Sequence, residues 1–177
     1  MLTFISGGAR SGKSSFAEKL ALESYHKHKD GNLYYVATSV PSDEEMEARI
    51  ARHRGDRGEE WQTIEASLHV KDRLCNLPTE STVLIDCLTV WLSNMLYIGQ
   101  AGWETIMQEV SGWIQTAQAQ QLNLYIVSND VNEGLPSYVD SVASYTCMLE
   151  KLHKYIISSA EKVYQVIAGL PVKWKDD

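Results

Sequence analysis

The run Gly7-Gly8-Ala9-Arg10-Ser11-Gly12-Lys13-Ser14 fits the pattern G-x-x-x-x-G-K-[ST]. Glycines in such a run let the main chain curl until successive N–H groups point inward at phosphate oxygens. A helix beginning after the turn adds the positive end of its dipole. In this pattern Lys13 reaches the terminal phosphates of a nucleotide, and the Ser14 hydroxyl ligates Mg²⁺. The alternative is a glycine-rich turn with accidental spacing. Average composition produces that in well under about one chain in a hundred of this length. A strand-like run precedes the turn and a helical pattern follows it, as a phosphate cradle requires.

A second candidate is Asp86, which closes the apolar run "TVLID". An acid at the end of a buried strand can hold a metal-bound water or a nucleotide hydroxyl. It can equally cap the helix that follows. A guanine-reading Asn-Lys-x-Asp and a D-x-x-G after Asp86 would mark a signalling GTPase. The chain has "SNDVN" and "DCLTV" in those places, so the cradle alone leaves the reaction open.

The third chemical stretch is "SVPSDEEMEARIARHRGDRGEEWQTIE", residues 39–65. Ser42 and Glu45 form a capping box for a helix. On that helix Met46, Ile50 and His53 share one face, with Arg49, Arg52, Arg54 and Arg57 around the imidazole. One reading is a solvated basic helix whose arginines pair with Glu45, Glu47, Asp56 and Glu59. The other is that His53 meets a phosphate. Nearby cations would bind a triphosphate and lower the proton affinity of the ring, and a neutral imidazole nitrogen can attack phosphorus to form a covalent intermediate.

These residues need elements to position them. Leu2–Ser6, Asn32–Thr38, Ser81–Cys87, Leu122–Asp130 and Lys162–Ala168 read as strands, the third with the unbroken apolar centre of a strand buried on both faces. Helical patterns lie between them, through Glu18 and Leu22, over Thr89–Leu96, Trp103–Gln120 and Tyr138–Ser159. Alternation of this kind predicts an α/β fold with a mostly parallel central sheet and helices on both faces. Ligands of such sheets sit at the carboxyl ends of the strands, where Gly7, Thr38, Asp86 and Ser128 all fall.

The bulk composition is that of a globular chain, 44% hydrophobic and 22% charged. Its 177 residues suit one domain, residues 1–177. A net charge of −7 argues against nucleic acid as a partner and against an anionic membrane surface. No apolar run approaches the ~20 residues of a membrane span, and the run before Gly7 is too brief for a signal peptide. Cys75, Cys87 and Cys147 make an odd set with no C-x-x-C pair, which fits reduced thiols and a cytoplasmic protein.

Taken in order, "SGGARSGKS", "YVATS", "DEEMEARIARHR" with the later Arg57, Trp61 and Glu65, and "LIDCLTVWLSNML" resemble the bifunctional adenosylcobinamide kinase / adenosylcobinamide-phosphate guanylyltransferase family. The resemblance runs in register from the N-terminus through Leu96. It implies a P-loop NTPase (RecA-like) architecture and two reactions of cobalamin biosynthesis. In the first, a γ-phosphoryl group passes from ATP or GTP to the hydroxyl of the adenosylcobinamide aminopropanol arm. In the second, a histidine attacks the α-phosphorus of GTP, releases pyrophosphate, and passes GMP to adenosylcobinamide phosphate. By position His53 inherits the nucleophile role. Residues Gly7 to Ser14 hold the phosphates, Arg54 and Arg57 orient the GMP moiety, and Glu65 and Asp86 contact the nucleotide or its Mg²⁺. Thr38 and Ser39 line the same pocket. The resemblance also implies a homo-oligomer, a trimer with active sites near subunit borders. A helix carrying Trp91 or Trp103 could serve that contact or pack in the core. Trp61 could stack on a base or a corrin edge, or pack.

The C-terminal half departs from the family pattern. Asn129-Asp130-Val131-Asn132 stands for a usual Asn-Glu-Val-Gly. Thr146, Cys147, Glu150 and His153-Lys154 stand near a usual set of Arg-Asp, Gly and Asn-Gln. Those positions would serve the corrinoid pocket, the second activity or a subunit contact. His153, on a helix with Leu149, Leu152 and Ile156, reads as structural. Two other functions fit the cradle: a small-molecule kinase without the histidine step, and a GTP-binding regulatory module without transfer.

Overall fold

The computed structural model describes residues 1–27, 31–40, 55, 57–130 and 140–176, with side chains left undescribed at 140 and 141. The helix read from Ser42 onward lies outside the described residues, and with it His53 and Arg54.

The chain runs β1 (Leu2–Gly7), α1 (Lys13–Lys27), β2 (Leu33–Ala37), β3 (Trp61–Glu65), α2 (Val70–Cys75), β4 (Thr82–Asp86), α3 (Leu88–Tyr97), α4 (Trp103–Ala119), β5 (Asn123–Asn129), α5 (Asp140–Ser159), β6 (Lys162–Ile167) and β7 (Leu170–Asp176). The strands form one seven-stranded sheet in the order β3-β2-β4-β5-β1-β6-β7. All neighbours are parallel except β6 and β7, which pair antiparallel. The expected α/β class, mostly parallel sheet and helices on both faces are therefore what the chain adopts.

Burial explains the strand sequences. Val83, Leu84 and Ile85 are all fully buried, because helices cover both faces and no position in the centre of β4 can be polar. One face carries Ile5, Leu33, Tyr35, Leu84 and Val127 against Ala17 and Ala21 of α1. The small side chains of α1 let that helix lie close to the sheet. The other face carries Phe4, Val36, Val83, Ile85 and Ile126 against α2 to α5. On α4 the residues Ile106, Val110, Trp113, Ile114 and Ala117 are buried, a stripe at helical spacing. Trp113 meets Trp91 edge-on at 4.5 Å, and the Trp91 indole N–H donates to Leu68 O at 2.8 Å. Trp91 is thus a core residue. Trp103 also packs against this core.

Two strands went unread in the sequence. β3 has a half-buried edge position, so its pattern is short and weak. β7 carries Pro171 and two lysines and is largely exposed, as an edge strand tolerates.

The register sets the site. Gly7 lies opposite Asn129 of β5 and Val166 of β6. Ala37 lies opposite both Glu65 of β3 and Asp86 of β4. The carboxyl tips of the parallel strands therefore gather Gly7, Glu65, Asp86 and Asn129 along one edge of the sheet.

Candidate functional site

The turn after β1 is built around two positions that exclude a side chain. A Cβ on Gly7 would stand 2.6 Å from both Ser11 Oγ and Val166 O, closer than a real Cβ comes. Gly12 has φ +88°, a left-handed backbone that costs other L-residues. Arg10 also takes a positive φ of 58°. The turn is tied by Ser11 N–H to Gly8 O at 3.2 Å and by Gly169 N–H, from the β6–β7 turn, to Ser11 O at 2.8 Å. Gly8 is partly exposed, and Ala9 and Arg10 are exposed at the tip.

Lys13 opens α1 and is buried. Its Nζ donates to Gly8 O at 3.2 Å, so the ammonium is held back over the turn. Ser14, one residue on, is partly exposed at the helix start. The Ser11 hydroxyl is buried inside the turn with no hydrogen-bond partner among the described residues. Buried polar atoms are almost always satisfied, and a phosphate oxygen is an acceptor suited to this cradle.

At the tip of β4, Asp86 Oδ2 accepts the Tyr35 phenol O–H at 2.7 Å. The Arg57 guanidinium carbon lies 3.3 Å from the centroid of the Tyr35 ring, a stacked cation–π contact. Trp61 meets the same ring edge-on at 6.1 Å and packs against the α1-side core, so of its two readings the structure gives packing. Burial, and after it the Asp86 charge, push the Tyr35 phenol far above its ordinary range, with Arg57 opposing. The phenol is a permanent donor. Glu65 is exposed at the level of Asp86, across β2.

Thr38 is fully buried, unlike a pocket-lining side chain. Its hydroxyl donates toward Asp86 O (3.1 Å) and Cys87 O (3.0 Å) and accepts Cys87 N–H at 2.8 Å. Asn94 Nδ2 donates to Thr38 O at 2.7 Å. Thr38 therefore braces the main chain beneath Asp86. Ser39 follows it and is partly exposed. Behind them Asn129 Nδ2 donates to Thr89 Oγ1 at 3.0 Å, and Tyr145 O–H donates to Thr89 O at 2.7 Å. Burial, then Asp86, raise the Cys87 thiol above its ordinary range, which keeps it protonated and inert.

The structure brings together Gly7 to Ser14 as one turn, and Tyr35, Arg57 and Asp86 as a second group at the β2–β4 tips. α1 packs against both β4 and β5, so both groups lie on the α1 side of the sheet. Sequence reasoning missed Tyr35. Its only signal is register: strand pairing puts it diagonal to Asp86, and pairing is not readable from one strand.

His153 belongs elsewhere. Its Nε2 lies 2.7 Å from Ser128 Oγ, and its ring tilts against Phe4 at 5.1 Å. Burial holds the imidazole below its ordinary range, against the pull of Asp130 and Glu150. The unfolded chain therefore takes the proton first. The stability linked to this group is fully present above the ordinary imidazole pKa of ~6.5 and is lost as pH falls toward the lowered folded value. His153→Gln is expected to flatten that acid limb. It should also cost about 1 kcal/mol at pH 8, because the buried Ser128 hydroxyl loses its partner. Urea unfolding at pH 8 and at pH 5.5 measures both effects.

The sheet order, the glycine turn and the strand-tip acid define an α/β phosphate-loop protein. In fold it is similar to a KaiC-like protein from Pyrococcus horikoshii OT3, with a TM-score of 0.52 and 11% identity over 93% of this chain and 69% of that one. The sequence profile described as cobinamide kinase / cobinamide phosphate guanyltransferase matches residues 3–174, and the chain belongs to this family. It is 33% identical to the bifunctional adenosylcobalamin biosynthesis protein CobP of Pseudomonas aeruginosa PAO1, over 100% of this chain and 99% of that protein. It is 30% identical to the bifunctional adenosylcobalamin biosynthesis protein CobU of Escherichia coli K12, over 99% and 100%. The CobU protein of Salmonella typhimurium LT2 is 27% identical over the same shares.

Proposed function

We propose that this chain, acting as one nucleotide-binding domain over residues 1–177, phosphorylates adenosylcobinamide and then transfers GMP from GTP to adenosylcobinamide phosphate. The observation that carries the reading is the phosphate turn with a buried Lys13 over it, in a chain matched to the family along nearly its whole length.

In the first reaction the turn's N–H groups and Lys13 hold the β- and γ-phosphates, and the acceptor hydroxyl displaces the nucleoside diphosphate. Catalysis of such a loose transfer is mostly positioning and charge neutralisation. In the second, a neutral His53 ring nitrogen bonds to the α-phosphorus and the pyrophosphate leaves. A phosphate oxygen of adenosylcobinamide phosphate then displaces the imidazole, giving adenosylcobinamide-GDP. Arg54 and Arg57 act on the GMP moiety in this reading, Ser39 lines the pocket, and Thr38 works from behind through the main chain at Asp86.

The donors at the start of α1 and the tip of β4 suit Mg²⁺. A serine hydroxyl at Ser14 and a carboxylate at Asp86 are hard oxygen ligands of the kind this ion takes alongside substrate phosphates. When bound, the ion neutralises charge on the phosphate oxygens. Glu65, level with Asp86, is a further nucleotide or metal-water contact. Among the described residues no three or more His, Cys, Asp or Glu side chains gather into a metal cluster.

Among the described residues no helix is long and apolar enough to cross a membrane, and Cys75, Cys87 and Cys147 are free thiols. A cytoplasmic location agrees with both. For the trimer that the resemblance implies, β6 and β7 offer a surface. Ile167, Leu170, Val172 and Trp174 share one face of the hairpin and are 53, 71, 40 and 69% exposed.

The test is a two-label assay. With Mg²⁺, γ-labelled nucleotide should label adenosylcobinamide, and α-labelled GTP should label adenosylcobinamide phosphate. Phosphorylation alone would leave a small-molecule kinase. GTP binding with neither product would leave a regulatory module.

A further inference from the structure

We propose that Tyr35 is a positioning residue for Asp86: its phenol orients the carboxylate at the tip of β4, while its ring is held under the Arg57 guanidinium. The inference rests on the reading of Asp86 as the residue that holds the nucleotide's metal.

The register makes the pair. Tyr35 lies opposite Leu84, and Ala37 opposite Asp86, so Tyr35 and Asp86 are diagonal neighbours on one face, within reach of a long side chain. That face is the one α1 covers, which is also the helix that rises from the phosphate turn. The phenol O–H takes up Oδ2 at 2.7 Å. Among the described residues no hydrogen bond to Oδ1 is made. The ring cannot turn freely, because Arg57 lies over its centroid at 3.3 Å and Trp61 meets it edge-on at 6.1 Å. A locked ring fixes the position of its phenol oxygen, and the hydrogen bond holds Oδ2 of the carboxylate toward it. The Arg57 stack adds a cation on the ring that holds the acid.

A tyrosine that merely fills the core would also need a hydrogen-bond partner. The two roles differ in what they control. Partners that orient a metal-holding group typically change metal affinity by about 10–100-fold when removed, while a packing role acts on folding and on every ligand alike.

The experiment uses the full chain with α,β-methylene GTP, which cannot release pyrophosphate, and Mn²⁺ as a paramagnetic probe. Free Mn²⁺ is read by its resonance signal. Tyr35→Phe keeps the ring and its stacks and removes only the hydroxyl. It is expected to weaken Mn²⁺ binding to the protein–nucleotide complex about tenfold, with nucleotide affinity in chelator unchanged. Asp86→Asn should weaken Mn²⁺ at least as much, and adding Tyr35→Phe to it should change nothing further, because the phenol acts through that carboxylate. Wild-type Mn²⁺ affinity in Tyr35→Phe, with Asp86→Asn impaired, overturns the inference. So does an additive double variant, or a Tyr35→Phe protein that loses metal-free nucleotide binding to the same degree. Wild-type Mn²⁺ affinity in Asp86→Asn removes the metal reading of Asp86 instead, and the role of Tyr35 with it.

Discussion

Lys13→Ala should cut both phosphoryl and guanylyl transfer at least about a hundredfold in a protein that still folds. Lys13 is buried at the mouth of the turn, and Gly8 O at 3.2 Å holds its ammonium over the cradle. Removing a buried cation with so light a set of native contacts costs little folding energy, since the charge itself is expensive to bury. The loss falls on the transition state, where the ammonium neutralises charge on the phosphate oxygens. One such donor is worth about 10²–10³ in rate. Both reactions draw on one turn, so kcat/KM for both should fall together by at least that factor. Lys13→Arg should not rescue them, because a planar guanidinium does not replace a compact point charge in a tight turn. Full retention of one reaction would mean that it uses a second phosphate site.

His53→Ala is the counterpart, with the opposite selectivity. A nucleophile that forms a covalent bond has no substitute in alanine. Guanylyl transfer should drop by about 10⁴-fold or more, the scale on which removing a covalent nucleophile acts. Phosphoryl transfer to adenosylcobinamide has no histidine step in this scheme and should stay within about tenfold of wild type, a margin of ~1.4 kcal/mol. Steady-state assays of the two half-reactions on the same preparation measure the split. Equal loss of both in a folded protein would make His53 a structural or shared binding residue.

The sequence announced what local chemistry dictates. The cradle is legible because its glycines, lysine and serine are adjacent in the chain, and its function depends on that adjacency. The five strands with strong apolar runs are legible because burial on both faces forbids polar residues. Asp86 was legible as the end of such a run. What stayed hidden depends on pairing between segments. β3 is a five-residue edge of the parallel array, and β7 is an exposed antiparallel edge, so neither has a burial pattern strong enough to show. Thr38 looked like a pocket residue because it sits at a strand tip. Only the fold shows that its hydroxyl is spent on the main chain of the next strand. Tyr35 meets Asp86 across 51 residues of sequence, and Arg57 meets Tyr35 across 22, and no spacing rule connects them. His153 shows the reverse case. Its apolar neighbours in the sequence already favoured a core histidine, and the bond to Ser128 and the ring contact with Phe4 give it that place.

The central claim is that one phosphate cradle serves two transfers, the second through a histidine. It is tested most directly by incubating the protein with Mg²⁺ and GTP in the absence of corrinoid and measuring the intact mass under alkaline quench. Peptide mapping then follows. The expected result is a chain heavier by one GMP, acid-labile, with the adduct on the peptide containing His53 and discharged by adenosylcobinamide phosphate. An unmodified chain, or an adduct on another residue that the corrinoid still discharges, would contradict it.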